Sequence, residues 1–219
     1  MNELPPLGLL GGTFDPVHFG HLRLAEEALD RLGLAGVRLI PAGVPPHRER
    51  PHAAAAQRLA MAQAAAADNP RLEVDAAEAV SADPSYTVPT LERVRREIGP
   101  QRSLVLLLGA DAFLGLTAWH RWRELFELAH LAVATRPGHV LDADAMESGL
   151  AVQFAVRVRH DVLALRETPA GCIVPFGITA LDISATAIRA ALHGGASARY
   201  LLPAAVLDYI SRNRLYAPD

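Results

Sequence analysis

Two histidines three residues apart, His18 and His21, sit in the run His18-Phe19-Gly20-His21, directly after the turn Gly11-Gly12-Thr13-Phe14-Asp15-Pro16. A short apolar run, Leu7-Gly8-Leu9-Leu10, precedes the turn, and an amphipathic run from Leu22 to Leu32 follows it. The pattern reads as strand, Gly-rich turn and helix start. Side chains at that spacing on a helix share a face. Here they join the unbonded amides and positive dipole end of a helix N-terminus. Such a place suits a polyphosphate.

A second helix start lies near the other end, at Ile183-Ser184-Ala185-Thr186-Ala187-Ile188-Arg189. Ser184 is the expected N-cap. Thr186 and Arg189 share a face, while Ala187, Ile188, Ala191 and Leu192 are expected to pack inward. Gly194-Gly195 ends the helix. Two hydroxyls and a guanidinium at a helix N-terminus are again a phosphate-binding set.

No covalent machinery accompanies them. There is no Gly-x-Ser-x-Gly elbow, and the lone Cys172 beside Ile173-Val174 reads as a buried strand thiol. A zinc site built from His18 and His21 would need His47 or His52 as further ligands and has no cysteine partner, so no protein metal site is expected. The chemistry left is positioning and electrostatic stabilisation of phosphoryl transfer. Mg2+ is expected to enter with a nucleotide, held by phosphate oxygens and water.

All 21 residues in the Lys+Arg count are arginine. Without lysine, a P-loop and a pyridoxal-phosphate Schiff base are both excluded. Any cationic phosphate clamp must be Arg or His. The net charge of −3 gives no reason to expect nucleic acid as a partner. One cysteine fits a reducing compartment, so a cytoplasmic location is expected. The first residues, Met1-Asn2-Glu3-Leu4-Pro5-Pro6, show no signal-peptide pattern, and no run reaches the length of a membrane span.

The elements that must hold these residues alternate. Strands are expected at Leu7–Leu10, Val37–Ile40, Leu72–Val74, Leu104–Leu108, Leu131–Ala134 and Ile173–Pro175. Helices are expected at Leu22–Leu32, Ala55–Asp68, Val88–Ile98 and Trp122–Leu128, with a further one near Asp144–Val152. Continuous apolar strands between helices predict an α/β fold: one Rossmann-like, doubly wound, mostly parallel sheet with helices on both faces, over residues 1–219 as a single domain. Ligands in such sheets bind beyond the carboxyl ends of the strands. The first turn lies at such an end, and so does Gly109-Ala110-Asp111. The stretch from Pro41 to His52 is too rich in proline for regular structure.

Taken together, these residues resemble the nucleotidyltransferase superfamily of short adenylyltransferases, which pairs a (His/Thr)-x-Gly-His turn with an Ile-Ser-x-Thr-x-x-Arg helix start. Gly11 to His21, Val44-Pro45-Pro46-His47-Arg48, Pro84-Ser85-Tyr86-Thr87, Gly109-Ala110-Asp111, Trp119 and Thr135-Arg136-Pro137-Gly138 are similar to the bacterial nicotinate-nucleotide adenylyltransferases. That family joins nicotinate mononucleotide to the adenylyl group of ATP, giving nicotinate adenine dinucleotide and pyrophosphate. The resemblance implies catalytic roles for His18, His21 and Arg189. It implies ATP contacts from Gly11, Gly12, Thr13, Phe14, His18, His21, Gly109, Asp111, Ile183, Ser184, Thr186 and Arg189. For the mononucleotide it implies Thr13, His47, Arg48, Tyr86, Thr87, Trp119, His120 and Arg136, with the nicotinate carboxylate near the Thr87 backbone and the ring on Trp119. Many members carry Tyr where His120 stands here.

Other readings remain. The two terminal motifs fit sibling enzymes acting on nicotinamide mononucleotide or phosphopantetheine; the chain is long for the latter, and Tyr86, Thr87 and Trp119 favour a pyridine ring. A tRNA-charging synthetase fragment would need a lysine-bearing loop that is absent. A non-catalytic nucleotide sensor would retain ATP binding without pyrophosphate release. A homo-oligomer is left open.

Overall fold

The computed structural model describes residues 4–45, 50–136, 138 and 141–218. Six strands run β1 (Leu7–Gly12), β2 (Gly36–Pro41), β3 (Leu72–Val74), β4 (Leu104–Gly109), β5 (His130–Thr135) and β6 (Ile173–Gly177). They form one sheet in the order β3-β2-β1-β4-β5-β6. The order reverses between β1 and β4, which marks a doubly wound α/β sheet. β4 pairs with β1 and β5, and β5 pairs with β6, all in parallel, with Leu9 opposite Leu106 and Leu107 opposite Ala132. Residues Leu104–Leu108 and all of β5 are buried, which is why these strands read as unbroken apolar runs.

All six expected strands form, most of them a residue or two longer than the apolar pattern. The helices are α1 (Phe19–Arg31), α2 (Ala55–Ala66), α3 (Ala77–Val80), α4 (Thr87–Ile98), α5 (Ala110–Leu114), α6 (Leu125–Leu128), α7 (Ser148–Arg157), α8 (Ala164–Glu167), α9 (Ala185–His193) and α10 (Ala204–Arg212). α1 starts earlier than Leu22, because Phe19 and Gly20 already belong to its first turn. The helix expected at Trp122–Leu128 is a 3-10 turn, Trp122–Glu124, followed by the short α6. The helix expected near Asp144 is split: a 3-10 turn at Ala143–Ala145, capped by the Asp142 carboxylate, precedes α7.

The contacts gather into two compact units. The first comprises Met1–Leu10, Leu24–Val37 and Tyr86–Thr179. Within it the Glu27 carboxylate, 2% exposed, accepts from Arg31 Nε at 3.0 Å and from the Thr179 amide at 2.9 Å. His130 on β5 is fully buried; one ring nitrogen lies 2.9 Å from the Thr168 carbonyl, and Nδ1 accepts from the Cys172 amide at 3.0 Å. Cys172 itself is half-buried and sits just before β6, not inside it. Burial pushes its thiol pKa up, which suits an inert residue.

The second unit comprises Gly11–Arg23, Arg38–Ser85 and Ala180–Asp219. Its centre is Arg58 on α2, 1% exposed. The guanidinium donates to the carbonyls of Ala53 (3.2 Å), Thr13 (2.7 Å), Ala42 (2.5 Å) and Gly43 (2.8 Å). One side chain thereby ties the turn after β1, the loop after β2 and the start of α2. Gly43 is obligatory there, since a Cβ would lie 2.0 Å from the Glu78 carbonyl oxygen. The Gly43 amide donates to Ser85 Oγ at 2.9 Å.

Among the described residues, no helix is long and apolar enough to cross a membrane.

Candidate active site

The turn after β1 is built to present two imidazoles. Phe14 takes a left-handed φ of 50°, and its ring meets His21 edge-on, with centroids 5.0 Å apart and planes at 88°. His18 occupies the position before the first residue of α1, and its ring stacks on His21 at 3.8 Å between centroids. The His18 amide donates to His21 Nδ1 at 3.3 Å. Nδ1 of His21 is therefore an acceptor, and the neutral ring carries its proton on Nε2.

His18 is 6% exposed. Burial lowers its pKa from 6.5 to about 4, so the ring is neutral at pH 7. Its Nδ1 is buried and has no hydrogen-bond partner among the described residues. Gly20 makes the geometry attainable: a Cβ there would stand 3.0 Å from two atoms of the His18 ring and 3.5 Å from the Ile183 carbonyl oxygen.

That proximity to Ile183 joins the second motif to the first. Ser184 caps α9, its Oγ accepting from the Ala187 amide at 3.1 Å. Arg189 donates from Nη1 to the Asp15 carbonyl at 2.7 Å, and its Nη2 lies 3.4 Å from Thr186 Oγ1. The shared face of Thr186 and Arg189 is thus realised. Of the four residues expected to pack inward from α9, Ile188 is fully buried, Ala191 and Leu192 are half-buried, and Ala187 is exposed. The helix lies open on most of its surface, so one apolar anchor suffices.

Asp15, 5% exposed, is the joint of this unit. Its carboxylate accepts from the amides of His52 (2.7 Å) and Ala53 (3.1 Å) and from the hydroxyl of Tyr216 (2.6 Å). Sequence reading quoted Asp15 only as part of a turn and missed Arg58 and Tyr216 altogether. An arginine spaced to share the face of Met61, Ala62 and Ala66 in an alanine-rich helix is the sequence trace that could have pointed to Arg58.

Of the residues expected to hold a second substrate, Tyr86, Thr87, Trp119, His120 and Arg136 lie in the first unit and Thr13 in the second. Tyr86 is the N-cap of α4, Thr87 is its first residue, and the Tyr86 ring packs on His120 at 4.6 Å. Trp119, half-buried, closes the 3-10 turn Leu116–Ala118. Arg121 follows with a left-handed φ of 56° and donates to Glu92 at 2.7 Å and Glu124 at 2.6 Å, bracing the Trp119–His120 corner. Gly109 caps α5, so Asp111 lies in the first turn of that helix with its side chain exposed, not at the cap. Arg136 is exposed just beyond β5. His47 and Arg48 lie outside the described residues.

Residues 9–191 match the model of the cytidylyltransferase-like family. The chain is 59% identical over 211 residues to the "Probable nicotinate-nucleotide adenylyltransferase" of Dechloromonas aromatica, covering 96% of this chain and 97% of the relative. It is 52% identical to the protein of the same name from Halorhodospira halophila, over 93% of this chain and 91% of the relative. Among solved structures, the fold matches the Plasmodium falciparum nicotinic acid mononucleotide adenylyltransferase complexed with NaAD. That match has a TM-score of 0.71 at 14% identity and covers 97% of each chain.

Proposed function

The chain belongs to the nicotinate-nucleotide adenylyltransferases of the cytidylyltransferase-like family, and from that membership we propose the following reaction and division of labour. A phosphate oxygen of nicotinate mononucleotide attacks the α-phosphorus of MgATP in line. The new P–O bond forms as the bond from the α-phosphorus to the bridging oxygen breaks. Pyrophosphate departs with that electron pair, and nicotinate adenine dinucleotide remains. No covalent enzyme intermediate is formed.

The observation that carries this reading is the stacked His18–His21 pair beside an arginine anchored on the same turn. His18 is neutral at pH 7, and His21 has its proton on Nε2, so the two rings serve as N–H donors. The fixed positive charge is left to Arg189. This division suits a transition state whose charge spreads over phosphate oxygens: donors aimed in advance need no reorganisation. Amides at the start of α9, with Ser184 and Thr186, hold the ATP phosphates. Gly11, Gly12, Thr13 and Phe14 line the nucleotide's path, and Asp111 receives a ribose hydroxyl.

Magnesium is part of the nucleotide substrate. Among the described residues no three His, Cys, Asp or Glu side chains gather as a metal-binding group. When bound with the nucleotide, the ion would neutralise phosphate charge.

The start of α4 supports the choice of nicotinate over nicotinamide. Its first amides, Thr87 and Val88, lie at the positive end of a helix of 12 residues, where a carboxylate is favoured and a neutral amide is not. Trp119 stacks on the pyridine ring, Tyr86 and His120 border it, and Arg136, His47, Arg48 and Thr13 attend the mononucleotide phosphate. The deciding experiment follows pyrophosphate release from MgATP with nicotinate mononucleotide, nicotinamide mononucleotide or phosphopantetheine. Nicotinate mononucleotide is expected to give the highest kcat/KM; a preference for phosphopantetheine overturns the assignment.

A further inference from the structure

We propose that Tyr216 is a positioning residue that acts on Arg189 through Asp15, so that the segment after α10 helps set the geometry of adenylyl transfer. The inference rests on the reaction proposed above.

Asp15 carries two loads on one residue. Its carboxylate has three donors: the amides of His52 and Ala53, and the Tyr216 hydroxyl at 2.6 Å. Its carbonyl is the acceptor that holds the Arg189 guanidinium at 2.7 Å. Carboxylate and carbonyl hang from one Cα, so a shift of the Asp15 backbone that the Tyr216 bond opposes would also move the oxygen on which Arg189 rests. The two amides belong to adjacent residues and come from one direction along the chain. Only Tyr216 comes from a different segment, and its bond spans 201 residues of sequence.

The segment holding Tyr216 shows the backbone cost of putting a hydroxyl there. Arg214 and Tyr216 both take left-handed φ values, 50° and 60°, and the Leu215 amide returns to the Ile210 carbonyl at 3.0 Å. A non-glycine residue in that region is strained, and such strain persists where the surroundings require it. Burial, followed by the bond to Asp15, holds the phenol far above its ordinary range, so it remains a donor at every working pH. The charges of Arg189 and Arg58 also reach this hydroxyl. Tyr216, Asp15 and Arg189 thus form one electrostatic unit, in which the phenol donates to the carboxylate and the guanidinium to the carbonyl of the same residue.

Tyr216→Phe in the full chain removes the hydroxyl and keeps the ring. Kinetics with MgATP and nicotinate mononucleotide are expected to show kcat lowered about tenfold, with KM for the mononucleotide within about twofold, the pattern of a misplaced transition-state group. The thermal midpoint is expected to stay within a few degrees. In an Arg189→Ala background the same change should add less than about a twofold loss, because the residue it positions is gone. A wild-type kcat in Tyr216→Phe, or a full further tenfold loss without Arg189, overturns the proposal. Wild-type turnover is measured first, and a wild-type chain that releases no pyrophosphate refutes the reaction instead. The inference is then read by calorimetry with inorganic pyrophosphate. Tyr216→Phe should weaken binding several-fold when Arg189 is present and leave it unchanged when Arg189 is Ala; equal binding in both backgrounds overturns it.

Discussion

The amide of His18 donates to Nδ1 of His21, and the same two residues stack their rings at 3.8 Å. The first residue thereby chooses the tautomer of the second. Two-dimensional NMR of 15N-labelled protein should show His21 as the Nε2–H tautomer at pH 7. His21→Ala should lower kcat at least about a hundredfold, the order expected for losing one preorganised donor. An Nδ1–H signal, or an unchanged kcat, would remove His21 from its role.

Gly20→Ala tests how closely the pair is fitted. The added methyl would meet the His18 ring at 3.0 Å, so the ring must move by a few tenths of an ångström or more. Gly20 is helical, so alanine costs the backbone nothing. The expected result is a folded protein with unchanged or slightly raised stability and kcat lower by roughly 10- to 100-fold. Equal loss of stability and activity would mean that the glycine serves packing alone.

Arg58→Met should be among the most destabilising single changes in the second unit. It leaves the carbonyls of Thr13, Ala42, Gly43 and Ala53 without the donor that now serves them all. The expected cost is about 3–5 kcal/mol in urea unfolding. Arg58→Lys should recover little of it, since one ammonium cannot span four carbonyls in a plane. A methionine variant within about 1 kcal/mol of wild type would dismiss this account.

Stability should fall with acid in a defined window. His18 and His130 each protonate near pH 4 when folded, lowered by burial, and near 6.5 when unfolded. Between those values the unfolded chain binds more protons, so stability declines as pH drops from 6.5 toward 4 and is fully present above 6.5. Each residue contributes at most about 3 kcal/mol to the difference. His130→Asn should reduce the slope of unfolding free energy against pH by up to about one proton between pH 5 and 6. An unchanged slope would assign the acid loss to other groups.

The sheet was legible because burial on both faces writes strands as plain apolar runs; Leu104–Leu108 and Leu131–Ala134 needed no other signal. Both phosphate motifs were legible because helix starts and caps are local: Ser184 reaches only as far as Ala187. What could not be read was long-range. Nothing near Arg58 in sequence reveals that its partners lie at Thr13 and Ala42, and nothing near Tyr216 points to Asp15. Local pattern also misled where exposure decides. Ala187 has the right spacing for an inward face, but it is exposed. Asp111, expected at the carboxyl end of β4, instead falls in the first turn of α5, because β4 runs straight into that helix.

Pro175 has a consequence for how copies of this chain behave in a crowded solution. It lies in β6, an outermost strand of the sheet. Residues 172, 174 and 176 face β5, as the bonds from the Leu131 amide to the Cys172 carbonyl and from Thr135 Oγ1 to the Phe176 carbonyl show. Ile173 and Pro175 therefore turn their backbones outward, and Ile173 is already engaged there by the bridge to Val158. The amide that proline lacks is the one an incoming strand would need next. The ladder within the molecule loses nothing, while a strand from another molecule finds no donor at that position. In a chain whose residues are 51% hydrophobic, that ring removes one donor from a sheet edge at no cost to the fold.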